Sequence, residues 1–168
     1  MTHLRPMALA SAFLVVLGAG SVQSHEYALG KLKIAHPWTR PAPAGSATAV
    51  GYFKVTNEGA TPDRLVAVSS TAAERVEIHQ TTMTGGVMRM AKVTEGVAIA
   101  PGQTLSFEPG SYHLMLVKPR NAFVKGDHIP LSLTFQKAGR ADVQLMVQTD
   151  APGAANTPSP SHDAMKMN

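Results

Sequence analysis

The chain has 168 residues, no cysteine and a formal net charge of +4 at pH 7, and 44% of its residues are hydrophobic. This length supports one globular domain rather than two. The lack of cysteine excludes thiolate metal sites, cysteine catalysis and disulfide bonds. The charges are spread without runs, so they do not indicate a nucleic-acid-binding surface.

The first 24 residues have the pattern of a secretory signal peptide. Arg5 supplies the positive start, residues 7–18 form an apolar stretch, and small residues follow up to Ser24. This stretch is shorter than the roughly 20 residues of a membrane-spanning helix, so we expect an exported protein without a membrane span. Cleavage after Ser24 would leave His25 at the N-terminus; cleavage after Ser21 also fits the pattern.

Short segments with strand character follow one another along the rest of the chain, separated by turns rich in glycine, proline and asparagine. No long segment shows helical periodicity, so parallel strands joined by helices are not expected. The sequence therefore predicts an all-β fold, an antiparallel two-sheet β-sandwich. The predicted strands are residues 31–35, 49–56, 64–69, 75–81, 87–93, 104–107, 112–118, 129–136 and 142–148.

The composition changes after residue 150. Residues 151–168 are rich in Ala, Pro, Gly, Ser and Asn, which bury too little apolar surface to offset the entropy of ordering. We therefore expect a signal peptide over residues 1–24, one β-sandwich domain over residues 25–150 and a flexible tail over residues 151–168.

Imidazole and thioether side chains are predicted to share one side of the domain. His113 and Met115 are two residues apart in a strand, so alternation puts both on one face and the neighbouring leucines in the core. His79 points outward at the end of another strand, and the turn at residues 85–86 leads to Met90. A hairpin can therefore bring His79 and Met90 together.

Two imidazoles and two thioethers form a soft, uncharged ligand set. Thioethers favour Cu(I) over hard ions and over zinc. The set lacks the cysteine sulfur of a blue-copper site, so holding and releasing copper is expected rather than electron transfer. Taken singly, each methionine could fill a gap in the core and each histidine could have an ordinary structural role.

The spacing of these residues resembles the signature of the periplasmic PCu(A)C copper chaperone family. Ten residues separate His79 from Met90, and 22 separate Met90 from His113, where the family pattern is often written with one fewer. The resemblance covers about residues 30 to 148. Other segments that resemble the family are residues 36–40, 52–53 with Asn57, 63–66, 77–79 and 112–116.

The resemblance implies a cupredoxin-like β-sandwich in the periplasm that binds one Cu(I) at an exposed cluster of His79, Met90, His113 and Met115. It further implies copper delivery for assembly of the cytochrome c oxidase copper site. Subunit II of cytochrome c oxidase or a Sco-type protein would be the acceptor. An enzyme is not expected, because Glu77 beside His79 has no paired carboxylate, nucleophile elbow or oxyanion loop around it.

The two ends of the mature chain carry a possible second metal site. Nitrogen donors suit Cu(II), although a mobile tail would have to lose conformational entropy to close around a metal. Two other classes of function stay open, a copper-sequestering or resistance protein without a dedicated acceptor and a small copper redox enzyme. The terminal residues concerned are His25, His162, Met165 and Met167.

Further histidines and methionines carry weaker signals. Met83 and Met88 flank the predicted hairpin and could be alternative thioether ligands, but packing is the simpler explanation. We expect His36 in a turn and His128 at a strand boundary, where both have ordinary structural roles available.

Overall fold

The computed structural model describes residues 26–150, and their regular elements are all β-strands. Nine of the eleven strands overlap the nine predicted segments, whereas the short strands β1 and β7 were not predicted. Among these residues there is no helix that could cross a membrane. The strands are β1 Glu26–Leu29, β2 Leu32–Thr39, β3 Thr48–Asn57, β4 Asp63–Ser69, β5 Ala73–Thr84, β6 Val87–Lys92, β7 Val97–Ile99, β8 Thr104–Phe107, β9 Tyr112–Pro119, β10 His128–Phe135 and β11 Gly139–Val147.

The strands form one hydrogen-bonded ladder in the order β6-β5-β9-β8-β3-β2-β11-β10-β4-β7, with β1 against β2 and β9 also against β3. All pairs are antiparallel except β2 with β11 and one residue pair between β8 and β9. Buried side chains from both halves of this order form one core. A Cβ atom on Gly51 of β3 would lie 3.2 Å from Leu145 of β11, which shows how closely the two halves pack. The predicted all-β sandwich is thus confirmed.

Strand alternation explains why the core forms where it does. On β9, Leu114 and Leu116 are completely buried, as the sequence predicted. On β5, Ile78 is buried and Val76 is partly buried against the same core. Because successive strand residues point to opposite faces, the residues between them lie on the outer face of this sheet.

Two buried polar residues hold the ends of strands in place. Asn57 donates from Nδ2 to the carbonyls of Thr61 and Ile99, at 2.8 and 3.1 Å. Asp63 accepts backbone N–H bonds from Arg64 and from the turn between β10 and β11. Burial acts to raise the pKa of Asp63, but these backbone bonds outweigh it and leave the pKa below its usual value.

The end of β5 and most of β6 extend beyond the pairing of β5 with β9. The register of β5 with β9 ends at Gln80 opposite Tyr112, and β6 pairs only with β5. The connection is the two-residue loop Gly85 and Gly86, with φ values of 58° and 78°, as a type I′ turn requires. We call residues 81–92 the hairpin arm.

Candidate metal centre

Two neighbouring strands place both predicted imidazoles together. His79 of β5 is directly opposite His113 of β9, and their ring centroids are 5.8 Å apart. Two residues along the same strands, Glu77 is directly opposite Met115. Directly opposed residues share a face, so His79, His113 and Met115 lie on the outer face of the sheet.

Met90 reaches this face from the hairpin arm. Its direct partner is Thr81, while His79 is opposite Lys92. Met90 is therefore a diagonal neighbour of His79, at a distance that a long side chain can bridge, roughly 7–8 Å between Cα atoms. The predicted hairpin between His79 and Met90 exists, with the two residues offset by two positions in the register.

The cluster is less exposed than the resemblance implied. His113 is 7% exposed and counts among the buried residues, and the His79 and Glu77 side chains are each 14% exposed. Met115 is partly buried, whereas Met90 is 55% exposed. The expectation of an exposed cluster is correct for Met90 and wrong for His113. The two histidines crowd against each other on adjacent strands, which limits the access of solvent to both.

Glu77 fixes the protonation pattern of His79. Its carboxylate accepts three hydrogen bonds, from His79 Nε2 at 2.9 Å, Lys92 Nζ at 2.9 Å and Arg75 Nε at 3.0 Å. These bonds lower the pKa of Glu77 from 4.5 to about 2. Because an ionised carboxylate only accepts hydrogen bonds, His79 Nε2 must carry the hydrogen. In the neutral ring the lone pair is then on Nδ1.

The Nδ1 atom of His79 is buried and has no hydrogen-bond partner among residues 26–150. Buried polar atoms are nearly always satisfied, so an unsatisfied one needs an explanation. Metal-binding histidines typically donate their other ring N–H to a carboxylate, as His79 does to Glu77. The arrangement therefore suits a metal bond at Nδ1.

His113 has the complementary arrangement. Its Nδ1 lies 3.3 Å from the carbonyl oxygen of Ser111. Since a carbonyl can only accept, the hydrogen is on Nδ1 and the lone pair of the neutral ring is on Nε2. The two histidines thus present one free nitrogen each on a shared face.

The donor set of this face fits a soft metal ion. In the described part of the chain no three His, Cys, Asp or Glu side chains come together as a metal site. A site with three nitrogen or oxygen ligands, as catalytic zinc has, is therefore not found there. Two imidazoles with nearby thioethers instead match the preference of Cu(I).

The remaining predicted residues lie elsewhere. His36 is exposed on β2 with a φ of 51°, and His128 begins β10; neither strand pairs with β5 or β9. Met83 and Met88 lie on the hairpin arm, each 65% exposed, so packing does not explain them. The proposed signal peptide and the tail lie outside the described residues, together with His25, His162, Met165 and Met167.

The role of Glu77 was not predicted from the sequence. This residue was considered only as a general base, whereas in the structure its carboxylate accepts a hydrogen bond from His79 Nε2. The signal was present, because residues two apart in a strand share a face and a carboxylate beside a histidine can orient it.

The fold and this face define the class of the protein, an all-β domain of the PCuAC type. The copper-bound PCuAC domain from PmoF2 superposes with a TM-score of 0.64 at 30% identity, covering 75% of this chain and 99% of that domain. The apo PCuAC domain from PmoF1 gives a TM-score of 0.63 at 29% identity, covering 75% and 100%. The solution structure of apo-DR1885 from Deinococcus radiodurans, 21% identical over 89% of this chain and 97% of that one, shares the fold with a TM-score of 0.56.

The chain belongs to the LpqE-like family, whose model, described as "Putative lipoprotein LpqE-like", matches residues 32–147. An uncharacterised protein of Rickettsia prowazekii is 31% identical over 119 residues, which are 69% of this chain and 66% of that protein. A protein of Leifsonia xyli with a lipoprotein description is 27% identical over 117 residues, 70% and 69% of the two chains. The chain thus spans about two thirds of the length of these relatives. The predicted resemblance to the PCu(A)C family is confirmed.

Proposed function

We propose that the protein is an exported copper chaperone that holds one Cu(I) ion between His79, Met90, His113 and Met115 and passes it to a partner protein. The observation that carries this proposal is the pair of facing histidines, one of which has a buried, unpartnered Nδ1 atom. Copper supplies the missing partner of that atom. The protein acts by binding and release, not by catalysis.

The ligand atoms follow from the hydrogen bonds. Glu77 occupies Nε2 of His79 and Ser111 occupies Nδ1 of His113, so Cu(I) is held by Nδ1 of His79 and Nε2 of His113. The thioethers of Met115 and Met90 complete a neutral, soft set. Because Met90 is exposed on the arm and His113 is buried, an incoming ligand reaches the copper from the side of Met90.

The similarity to known proteins supports the proposal. One matched structure is described as a copper-bound PCuAC domain, and another as CuI-DR1885. The lipoprotein description of the Leifsonia relative supports export, and we place the protein in the periplasm. The acceptor we propose is the copper site of cytochrome c oxidase subunit II or a Sco-type protein, as the family resemblance implies.

The deciding experiment is a competition titration of the purified protein with Cu(I) against a chelator, followed by mixing with the copper-free acceptor domain. We expect tight one-to-one binding that is lost in His113→Ala. His36→Asn is the matched control, because Asn tolerates the positive φ of that exposed position and β2, which carries His36, does not pair with β5, β6 or β9. Equal binding by His113→Ala would remove the proposed site.

The acceptor step separates a chaperone from a sequestering protein. A chaperone transfers its Cu(I) to the acceptor faster than the ion dissociates into solution, since ligands exchange stepwise within a complex. A sequestering or resistance protein binds as tightly but shows no such acceleration. Transfer at the rate of free dissociation, with every candidate acceptor, would favour the second function.

We also propose a Cu(II) site formed by the chain termini, from His25, His162, Met165 and Met167. Support for it comes from the sequence, where nitrogen donors at a free N-terminus suit Cu(II). Electron paramagnetic resonance of the Cu(II)-loaded protein tests it, because the imidazole contribution of residue 25 to the nitrogen ligation would disappear in a His25→Ala variant.

A further inference from the structure

Exposed apolar side chains concentrate on the hairpin arm. Six large hydrophobic residues are exposed in the described part of the chain, and four of them are Met83, Val87, Met88 and Met90 on this arm. Methionine usually serves as a flexible filler of the core. Core packing does not explain the three methionines of the arm, because Met83, Met88 and Met90 are 65%, 65% and 55% exposed. Another role must account for three thioethers at one place.

The register of the arm puts these thioethers on the metal-binding face. Met83 is directly opposite Met88, Thr81 is opposite Met90, and His79 is opposite Lys92. Alternate residues of a strand share a face, so all three methionines lie on the same side as His79. Directly opposed Cβ atoms are about 4.5–5.5 Å apart, so the sulfurs of Met83 and Met88 can converge on one ion.

The chemistry of this cluster differs from that of the histidine pair. Three thioethers carry no charge and no proton to lose, and they bind Cu(I) in preference to zinc or hard ions. Their side chains are free in solvent, so binding an ion costs them rotamer entropy. The cluster is therefore suited to brief occupation rather than storage.

We propose that Met83, Met88 and Met90 form a second, thioether-only Cu(I) site at the tip of the hairpin arm, through which copper enters and leaves the histidine site. Met90 belongs to both sites. During transfer the bonds from copper to the Met83 and Met88 sulfurs break as bonds to His79 Nδ1 and His113 Nε2 form, while Met90 remains attached. Copper stays in the Cu(I) state, so the step needs no electron donor.

This inference rests on the proposed function for its direction of transfer, but the arm site can be tested alone. The experiment adds Cu(I), buffered by a weak chelator, to the whole protein labelled at the methionine methyl carbons. We expect a second, weaker equivalent of Cu(I) to bind and to shift the NMR signals of Met83 and Met88. The double variant Met83→Leu with Met88→Leu should lose the second equivalent and keep the first at unchanged affinity.

Met146 of β11 provides the matched control. Met146→Leu makes the same substitution on a strand that does not pair with β5, β6 or β9, and it should leave the second equivalent in place. The proposal is overturned if the Met83/Met88 double variant still binds two equivalents, or if the methyl signals of Met83 and Met88 do not move. Shifts of these signals without tight binding of a first equivalent would uphold the arm site and refute the histidine site.

Discussion

The strand β9 and the hairpin arm contribute ligands to the same proposed site but are built in opposite ways. β9 lies between β5 on one side and β3 and β8 on the other, and its Leu114 and Leu116 are completely buried. Every residue of β6 is exposed, and among residues 26–150 this strand pairs only with β5. The difference shows how a site can combine ligands on a strand packed against the core with a ligand on an exposed edge strand.

This division suits a protein that must both hold and release an ion. His113 and Met115 on β9 keep their positions because the core beneath them is packed. Met90 can move with the arm without disturbing that core, since it is exposed and not part of the core. Elements with few buried contacts open at the lowest free energy.

The largest expected effect comes from removing a core side chain of β9. Leu114→Ala removes a fully buried side chain directly beneath the site and should lower the free energy of unfolding by about 2–5 kcal/mol. Val87→Ala, at a residue that is 56% exposed on the arm, should change it by no more than about 0.5 kcal/mol. Urea denaturation measures both. Similar losses for the two variants would show that the arm is as well packed as the sandwich.

The next effect compares the two thioethers. Mutating a residue that hydrogen-bonds to a metal ligand typically lowers metal affinity by roughly 10- to 100-fold. Met115→Leu removes a proposed ligand itself, so it should weaken Cu(I) binding by at least that much while preserving the fold. Met90→Leu should weaken it less, because ordering a free methionine costs up to about 2 kcal/mol of side-chain entropy that offsets its bond. Chelator competition measures the Cu(I) affinity of both variants and shows which substitution weakens binding more. A larger loss for Met90 would reverse the comparison.

A smaller effect is expected from the residue that orients His79. Glu77→Gln removes the negative charge that Lys92 and Arg75 share while keeping the side chain's length. We expect Cu(I) affinity to fall by about tenfold, at the lower end for an outer partner of a metal ligand. Glu74→Gln on the same strand is the control, since Glu74 pairs with Lys118 and Arg75 and not with a histidine. Equal affinities of the two variants would deny Glu77 this role.

The smallest effect concerns a third region. Deleting residues 151–168 should leave Cu(I) affinity and thermal stability unchanged, because the eleven described strands and the four proposed Cu(I) ligands lie between residues 26 and 147. Uptake of Cu(II) should fall if the tail takes part in a terminal site. Equal Cu(II) uptake by the truncated and the complete protein, measured by electron paramagnetic resonance, would exclude the tail.

Strand alternation made much of the fold predictable. The segment 104–107 coincides with β8, and the segment 112–118 is one residue shorter than β9. The strands that were missed, β1 and β7, have only four and three residues, too few to show a period of two. The last three residues of β5 were not predicted, because Thr82 and Thr84 are exposed and the segment shows no alternation of buried and exposed residues.

The sequence named four candidate ligands, whose role in metal binding stays a prediction, but it did not give their full arrangement. Local rules placed His113 beside Met115 and joined His79 to Met90 through the glycine turn. The direct pairing of His79 with His113 could not be read from the sequence, because β5 and β9 are neighbours in space with three strands between them in the chain. The burial of His113 follows from that pairing and was missed for the same reason.

The unpartnered Nδ1 of His79 has a thermodynamic consequence for the folded state. An unsatisfied buried polar atom costs about 1–3 kcal/mol, and the copper-free protein carries this cost whenever it is folded. An ion that binds only the native state adds stability, about 2.7 kcal/mol at 100 times its dissociation constant. Copper binding and folding are therefore linked. The fraction of unfolded chains falls as the copper supply rises.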